Sequence, residues 1–283
     1  MTIKSVMVIG AGQMGSGIAQ VFAQAGYKVL INDIKQELVE KSIERIKVRL
    51  FHQVDKNKLT KEQAASILLN FVPSIHVEDV EQADLVIEAA TENMEIKKDI
   101  FKRIDQYAVK DAILASNTSS LSITEMAAVT KRPEQVIGMH FMNPVPVMKL
   151  VEMIRGLETS DFVYRTSMEV VQEIGKTPVE VKDFPGFISN RILMTMINEA
   201  IFALYEGIAS KEAIDRVMTL GMNHPMGPLT LADFIGLDTC LYIMETLHEG
   251  FGDDKYRPCP LLKQYVHAGR LGKKTGRGFY CYE

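Results

Sequence analysis

Two polar stretches stand directly behind short apolar runs and carry residue types that move protons. After Ile113-Leu114-Ala115 comes Ser116-Asn117-Thr118-Ser119-Ser120, and after Val136-Ile137-Gly138-Met139 comes His140-Phe141-Met142-Asn143-Pro144. The next apolar run, 147–153, holds one carboxylate, Glu152. A buried carboxylate beside an imidazole selects one tautomer, stabilises the imidazolium and leaves the other ring nitrogen to take a proton. An alcohol needs such a base when its carbon-bound hydrogen departs as hydride. Plainer readings stand beside this one. His140 could be a core histidine bonded to backbone, Glu152 a strand-edge charge paired with Arg155 or Lys149, and the serine run a loop capping a helix that starts near Ile123.

A hydride needs an acceptor, and the first apolar run leads into one candidate. Gly10-Ala11-Gly12-Gln13-Met14-Gly15 follows 5–9 directly and opens a helical stretch. Gly10 permits a tight turn, Gly12 lets backbone approach a pyrophosphate, and Gly15 lets helix and strand pack closely. The N–H groups of Gln13, Met14 and their neighbours at the helix start then meet the anion. Asp33 ends the second apolar run eighteen residues past Gly15, close to the spacing of about twenty at which an acid reaches the ribose hydroxyls. A carboxylate there repels a 2′-phosphate and favours NAD over NADP. The glycine turn alone is weak evidence, since an FAD site begins the same way.

The elements that must position these groups follow from hydrophobic pattern. Continuously apolar runs at 5–9, 28–32, 84–88, 112–115, 136–140, 147–154 and 178–182 predict a buried, mostly parallel, doubly wound sheet of the Rossmann type. About fifty residues separate the second run from the third, where a simple crossover needs roughly a dozen. The stretch 36–70 is periodic as helix with a break at Asp55 to Asn57, predicting a helical hairpin that projects from the sheet. Beyond Pro185 and Gly186 the pattern is helical throughout. Phe187, Ile188, Leu193, Met196, Ile197, Ala200, Ile201 and Leu204 keep 3/4 spacing until Gly207, Ser210 caps a helix over 211–220, and a third starts near Thr230. The expected organisation is a dinucleotide-binding domain over 1–183 and an all-helical domain over 184–283.

Composition narrows the function classes. The chain has 283 residues, 47% apolar and 24% charged, with a net charge of −4, which argues against a nucleic-acid partner. No apolar run approaches a membrane span, and residues 1–4 lead straight into a strand without a cleavage site, so neither membrane insertion nor a secretory signal is expected. Cys240, Cys259 and Cys281 are odd in number and widely spaced, which points to a reducing, cytoplasmic setting. The six histidines form no ligand pair, so no metal is expected. The apolar content of the second domain exceeds what about 100 residues bury alone and predicts a homodimer or higher homo-oligomer.

Taken together, GAGQMGSGIAQ, DLVIEAATEN, SNTSSLSI, GMHFMNPVPVMKLVE, PGFISNRI, HPMGPL and GKKTGRGFY resemble the 3-hydroxyacyl-CoA dehydrogenase family over essentially the whole chain. The resemblance implies an NAD-dependent oxidoreductase that interconverts short-chain (S)-3-hydroxyacyl-CoA and 3-oxoacyl-CoA. It implies that His140 is the general base and Glu152 its acidic partner, and that Ser119 and Asn190 contact the substrate's 3-oxygen in a cleft between the domains. It assigns nicotinamide contacts to Glu92, Lys97 and Asn143, with Lys274 in either that role or a surface one. On the hairpin, Lys56 with Arg49 behind it is expected to hold the CoA phosphates on a mobile basic arm. Two other readings remain: a non-catalytic relative that kept the fold, and a dehydrogenase of the 6-phosphogluconate or hydroxyisobutyrate type, which uses a lysine. The physiological direction, butyrate or butanol formation against fatty-acid oxidation, is left open.

Overall fold

Strands that are apolar on both faces need cover on both, and the Val, Ile and Leu runs obtain it from helices laid on either side of one sheet. The computed structural model describes residues 2–282 and separates into two units, the first ending at Asp183 and the second beginning at Phe184. The first unit runs β1 (Ser5–Ile9), α1 (Gln13–Gln24), β2 (Lys28–Asn32), α2 (Gln36–Asp55), α3 (Lys61–Leu68), β3 (Phe71–Ser74), β4 (Leu85–Glu88), α4 (Met94–Tyr107), β5 (Ile113–Ser116), α5 (Ile123–Ala127), β6 (Val136–Phe141), β7 (Leu150–Arg155), α6 (Asp161–Glu173) and β8 (Thr177–Lys182).

Among the described residues the strands form one eight-stranded sheet in the order β3-β2-β1-β4-β5-β6-β7-β8. The strands from β1 to β6 pair in parallel, β7 runs against β6, and β8 is parallel to β7. β1 lies between β2 and β4, so the strand order reverses there. The carboxyl ends of β1 and β4 therefore flank the crevice in which doubly wound sheets take ligands. On one face Val8, Ile31, Ile87, Ala115 and Met139 pack under Ile18 and Phe22 of α1, Ile46 of α2 and Val171 of α6.

Two expectations need correction. The strand β3 was not foreseen, because four residues with Pro73 among them carry little strand signal. β3 lies at a sheet edge, where a missing N–H deprives no neighbour of a ladder bond. The helical hairpin also packs where projection was expected. Val39, Ile46 and Leu50 of α2 have no exposed surface and belong to the main core, so the inner stripe of α2 lies against α1 and β3. A capping box at Thr60 and Gln63 starts α3.

The second unit contains α7 (Ser189–Tyr205), α8 (Lys211–Gly221), α9 (Pro228–Ile235), α10 (Leu237–Phe251) and α11 (Pro260–His267). Met194, Ile201, Leu229, Leu237, Met244 and Leu262 lie in its core. Ser210 caps α8 by accepting from Ala213 N, and α9 begins at Pro228, slightly ahead of the expected Thr230. Two buried aspartates tie the helices together. The Asp215 carboxylate accepts from Leu229 N at 2.8 Å, Thr230 N at 2.9 Å and Tyr280 Oη at 3.0 Å. Asp233 accepts from Phe279 N at 2.9 Å and Tyr280 N at 2.8 Å. Gly227 is required beside Asp215, since a Cβ there would stand 2.3 Å from that side chain. Among the described residues no helix is long and apolar enough to cross a membrane.

The Asp215 clamp generates a test. Asp215→Ala leaves the N–H groups of Leu229 and Thr230 at the start of α9 and the Thr230 hydroxyl without their acceptor, and is expected to cost about 3 kcal/mol. Urea unfolding followed by circular dichroism measures it, and a loss under about 1 kcal/mol would contradict the clamp.

Candidate active site

β6 ends at the carboxyl edge of the sheet, and β7 returns in a register that sets Glu152 directly opposite His140. Opposed residues of an antiparallel pair project from the same face, so the two side chains meet. His140 Nδ1 lies 2.8 Å from Glu152 Oε2, with the residues 8% and 2% exposed. An ionised carboxylate can only accept, so Nδ1 carries the ring proton and Nε2 is the acceptor nitrogen of the ring. Arg155, the alternative partner of Glu152, instead bonds Asp161 Oδ1 at 2.7 Å.

The serine-rich run leaves β5 and is fastened on both sides. Asn117 N donates to Glu88 O at 2.7 Å, and Asn117 Oδ1 accepts from Phe141 N at 2.9 Å, which holds the end of β6 beside His140. Ser119 N donates to Glu92 Oε1 at 2.8 Å and its hydroxyl lies 3.2 Å from the same oxygen. Thr118 Oγ1 adds a bond of 2.6 Å. Behind Glu92 is a buried ammonium. Lys97, 1% exposed, bonds Glu88 at 2.7 and 2.9 Å and Glu92 Oε2 at 3.3 Å. Burial alone would raise the Glu92 carboxyl, but Lys97 and the bonds from Thr118 and Ser119 outweigh it and hold the carboxyl below its usual range. Asn117 and Thr118 stood in a run picked out from sequence but received no role there, and Glu88 was not singled out. The available signal for Glu88 was a carboxylate ending an apolar strand.

At the carboxyl end of β1, Gly10 turns with φ +105°, and a Cβ there would stand 2.5 Å from Ala89 O. A Cβ on Gly15 would stand 1.7 Å from Gly10 O, whereas one on Gly12 would meet nothing within 4 Å. α1 starts without a side-chain cap and without an acidic residue in its first turn. Its N–H groups and positive dipole end are thus available to an anion. Asp33 Oδ2 accepts from Ala11 N at 2.7 Å and Oδ1 from Ile34 N at 2.8 Å. Gln13 Nε2 donates to Asn143 Oδ1 at 3.0 Å, joining the turn to the segment after His140. Met14 packs against the core. An open glycine, an uncapped helix start and a strand-end acid fit a dinucleotide.

The remaining sequence-predicted residues are dispersed. Lys97 is enclosed by the carboxylates of Glu88 and Glu92. The Arg49 side chain is held against α1. Its guanidinium bonds Gln20 Oε1 at 2.7 Å and Ser16 O at 3.2 Å, and burial, with the neighbouring charge of Arg45, lowers its pKa. Lys56 is exposed at the C-terminal cap of α2. In the second unit, Asn190 is the second residue of α7 and partly buried, and Lys274 Nζ bonds Asp238 Oδ2 at 2.6 Å.

Residues 5–184 match the family domain described as 3-hydroxyacyl-CoA dehydrogenase, NAD binding domain, and 186–282 match the corresponding C-terminal domain. A probable 3-hydroxybutyryl-CoA dehydrogenase of Bacillus subtilis is 60% identical over 283 residues, covering 100% of this chain and 99% of that protein. The human mitochondrial hydroxyacyl-coenzyme A dehydrogenase is 42% identical over 99% of this chain and 92% of its own. The crystal structure of (S)-3-hydroxybutyryl-CoA dehydrogenase from Ralstonia eutropha superposes with a TM-score of 0.98 at 51% identity, covering 100% of each chain.

The two glycines separate folding from binding. Gly15→Ala is expected to destabilise the protein by about 3 kcal/mol or more, since the Gly10 carbonyl must move. Gly12→Ala should leave the melting temperature of the unliganded protein unchanged and weaken NADH at least about tenfold, because the new methyl stands where a pyrophosphate approaches. Thermal melts and NADH fluorescence titrations check both, and a Gly12→Ala protein with normal NADH affinity would exclude this turn as the cofactor site.

Proposed function

The chain belongs to the 3-hydroxyacyl-CoA dehydrogenase family, and from that premise we propose that it interconverts short-chain (S)-3-hydroxyacyl-CoA, 3-hydroxybutyryl-CoA foremost, with 3-oxoacyl-CoA such as acetoacetyl-CoA. The observation that carries the reading is the buried pair of His140 and Glu152 at 2.8 Å on the same sheet edge as the glycine turn. NAD, when bound, supplies the hydride acceptor, and NADH the donor in reverse.

In oxidation, His140 Nε2 removes the proton of the 3-hydroxyl as the carbon's hydrogen leaves. Glu152 holds the ring through Nδ1 and balances the imidazolium that forms, a stabilisation fixed before reaction. In reduction the imidazolium returns the proton to the 3-oxygen. Ser119, oriented through Glu92, and Asn190 are assigned to that oxygen. The Gly10, Gly12, Gln13, Met14 and Gly15 turn holds the pyrophosphate, and Asp33 the ribose hydroxyls with its free lone pairs. Glu92 and Asn143 are assigned to the nicotinamide side, with Lys97 setting the charge of Glu92. Lys56 and Arg49 are the groups proposed for CoA phosphates, where guanidinium and ammonium suit the anion. Lys274 is kept as a cofactor contact that must first share its charge with Asp238.

We further propose that the enzyme is a cytoplasmic homodimer or higher homo-oligomer. The thiols of Cys240, Cys259 and Cys281 are free, in keeping with a reducing compartment. In the second unit, Ile208, Val217 and Met222 are 73%, 61% and 62% exposed. They surround or adjoin an apolar groove of 420 Å³ between α7 and α8 lined by Met196, Ala203, Ile214 and Val217. An apolar surface of that kind is covered by a second copy of the chain. Light scattering should give at least twice the monomer mass, and a monomer at micromolar concentration refutes the assembly.

NADH oxidation with acetoacetyl-CoA tests the activity. His140→Gln should lower kcat about a hundredfold or more with NADH affinity retained, since a positioned base is worth about 10² to 10⁴. Glu152→Gln keeps the shape, deletes the counter-charge and should lower kcat about tenfold or more. A His140→Gln enzyme that keeps over about a tenth of the rate refutes the assignment.

A further inference from the structure

Arg45 belongs to no motif of the sequence and reads there as one more solvated charge on a helix. In the structure it reaches the glycine turn. Its Nη2 donates to Ala11 O at 2.7 Å, while Asp33 Oδ2 accepts from Ala11 N at the same distance. Ala11 is thus gripped from both ends, by the strand-end acid at its amide and by a guanidinium of α2 at its carbonyl. One turn further along α2, Arg49 holds Ser16 O and Gln20 Oε1, so the two arginines clamp successive parts of the turn and of α1. The like charge of Arg45 contributes to the lowered pKa of Arg49. Among the described residues neither arginine is paired with a carboxylate.

This arrangement requires a reason. Two neighbouring cations repel, and each long side chain loses rotamer freedom when fixed. Helix N-termini carry a partial positive charge, which disfavours further cations beside them unless an anion is to be bound there. The carbonyl that Arg45 holds belongs to the residue before Gly12, the position where a Cβ would meet nothing within 4 Å. If the Ala11 peptide rotated, its carbonyl dipole would turn toward the helix mouth and oppose a phosphate.

We propose that Arg45 is a positioning residue for the dinucleotide. It fixes the Ala11 carbonyl away from the pyrophosphate path, and with Asp33 it keeps the glycine turn in its binding shape before the cofactor arrives. The inference rests on the reading of the turn as the NAD site and adds a residue outside the fingerprint to it. Preorganisation of this kind acts on binding and leaves the hydride step alone.

The test uses full-length Arg45→Met and Arg45→Lys. NADH binding is titrated by fluorescence, AMP is titrated as a competitor that lacks the pyrophosphate, and steady-state rates are measured with acetoacetyl-CoA. Arg45→Met should raise the Kd and KM for NADH about tenfold, keep kcat within about twofold, and leave the KM for acetoacetyl-CoA and the affinity for AMP near wild type. Arg45→Lys, which keeps a donor and the charge, should recover part of the loss. Thermal melts accompany both variants, and because Arg45 is exposed the melting temperature should shift little. Unchanged NADH affinity in Arg45→Met overturns the proposal, as does an equal loss of AMP affinity or a rise in KM confined to acetoacetyl-CoA, which would move Arg45 to the CoA side. A wild-type protein that fails to bind NADH refutes the cofactor site itself, a separate result.

Discussion

The reversal of chain direction between β6 and β7 is the constraint on which the site depends. A parallel sheet places successive strand ends on one edge, and a catalytic dyad would have to be recruited from different loops. Here the chain turns back and the antiparallel register puts Glu152 opposite His140, the pair proposed as acid and base, residue for residue. The imidazole is then oriented by strand geometry, which is stiffer than a loop, and both groups stay inside the sheet's own packing. The neighbouring strand end is tied in by the bond from Phe141 N to the Asn117 side-chain oxygen, so the position of the ring follows from hydrogen bonds that belong to the fold.

A second arrangement is costly unless it has a use. Glu88 and Lys97 are 0% and 1% exposed, and burying an ion pair of this kind rarely stabilises a fold relative to apolar residues of the same volume. The pair does not end at neutrality, since Glu92 shares the same ammonium and brings the group to one net negative charge. The serine-rich run supplies the donors that satisfy the surplus carboxylate oxygen. The result is an ionised carboxyl held at a fixed place next to Ser119, which ordinary surface charges, screened and mobile, do not provide.

Much of the fold was legible because buried parallel strands read as unbroken apolar runs, and VMVI, LVIE and VIGMHF do so plainly. β3 did not, being short and containing Pro73. The site was legible in its residue types but not in its pairings. Nothing in the spacing of His140 and Glu152 states that they touch, although the eight residues between β6 and β7 are too few for a parallel crossover of roughly a dozen, and that count alone requires the antiparallel return. The role of Lys97 as a buried partner, and that of Arg45 at the turn, depend on where long flexible side chains end, and helical periodicity carries no record of that.

The hairpin of α2 and α3 occupies residues 33–70 between β2 and β3. The entropy of closing a connection grows only with the logarithm of its length, so stretching a crossover from about a dozen residues to about forty costs roughly 1 kcal/mol. Val39, Ile46 and Leu50 recover that through burial, while the turn around Asn57, with φ 55°, is held through Val54 and Leu59 against the core and exposes Lys56, Asn57 and Lys58 at its tip. Mutation can therefore lengthen, shorten or recharge the tip of the arm without disturbing the strand register beneath it. This lets the surface beside the crevice evolve on a different clock from the sheet.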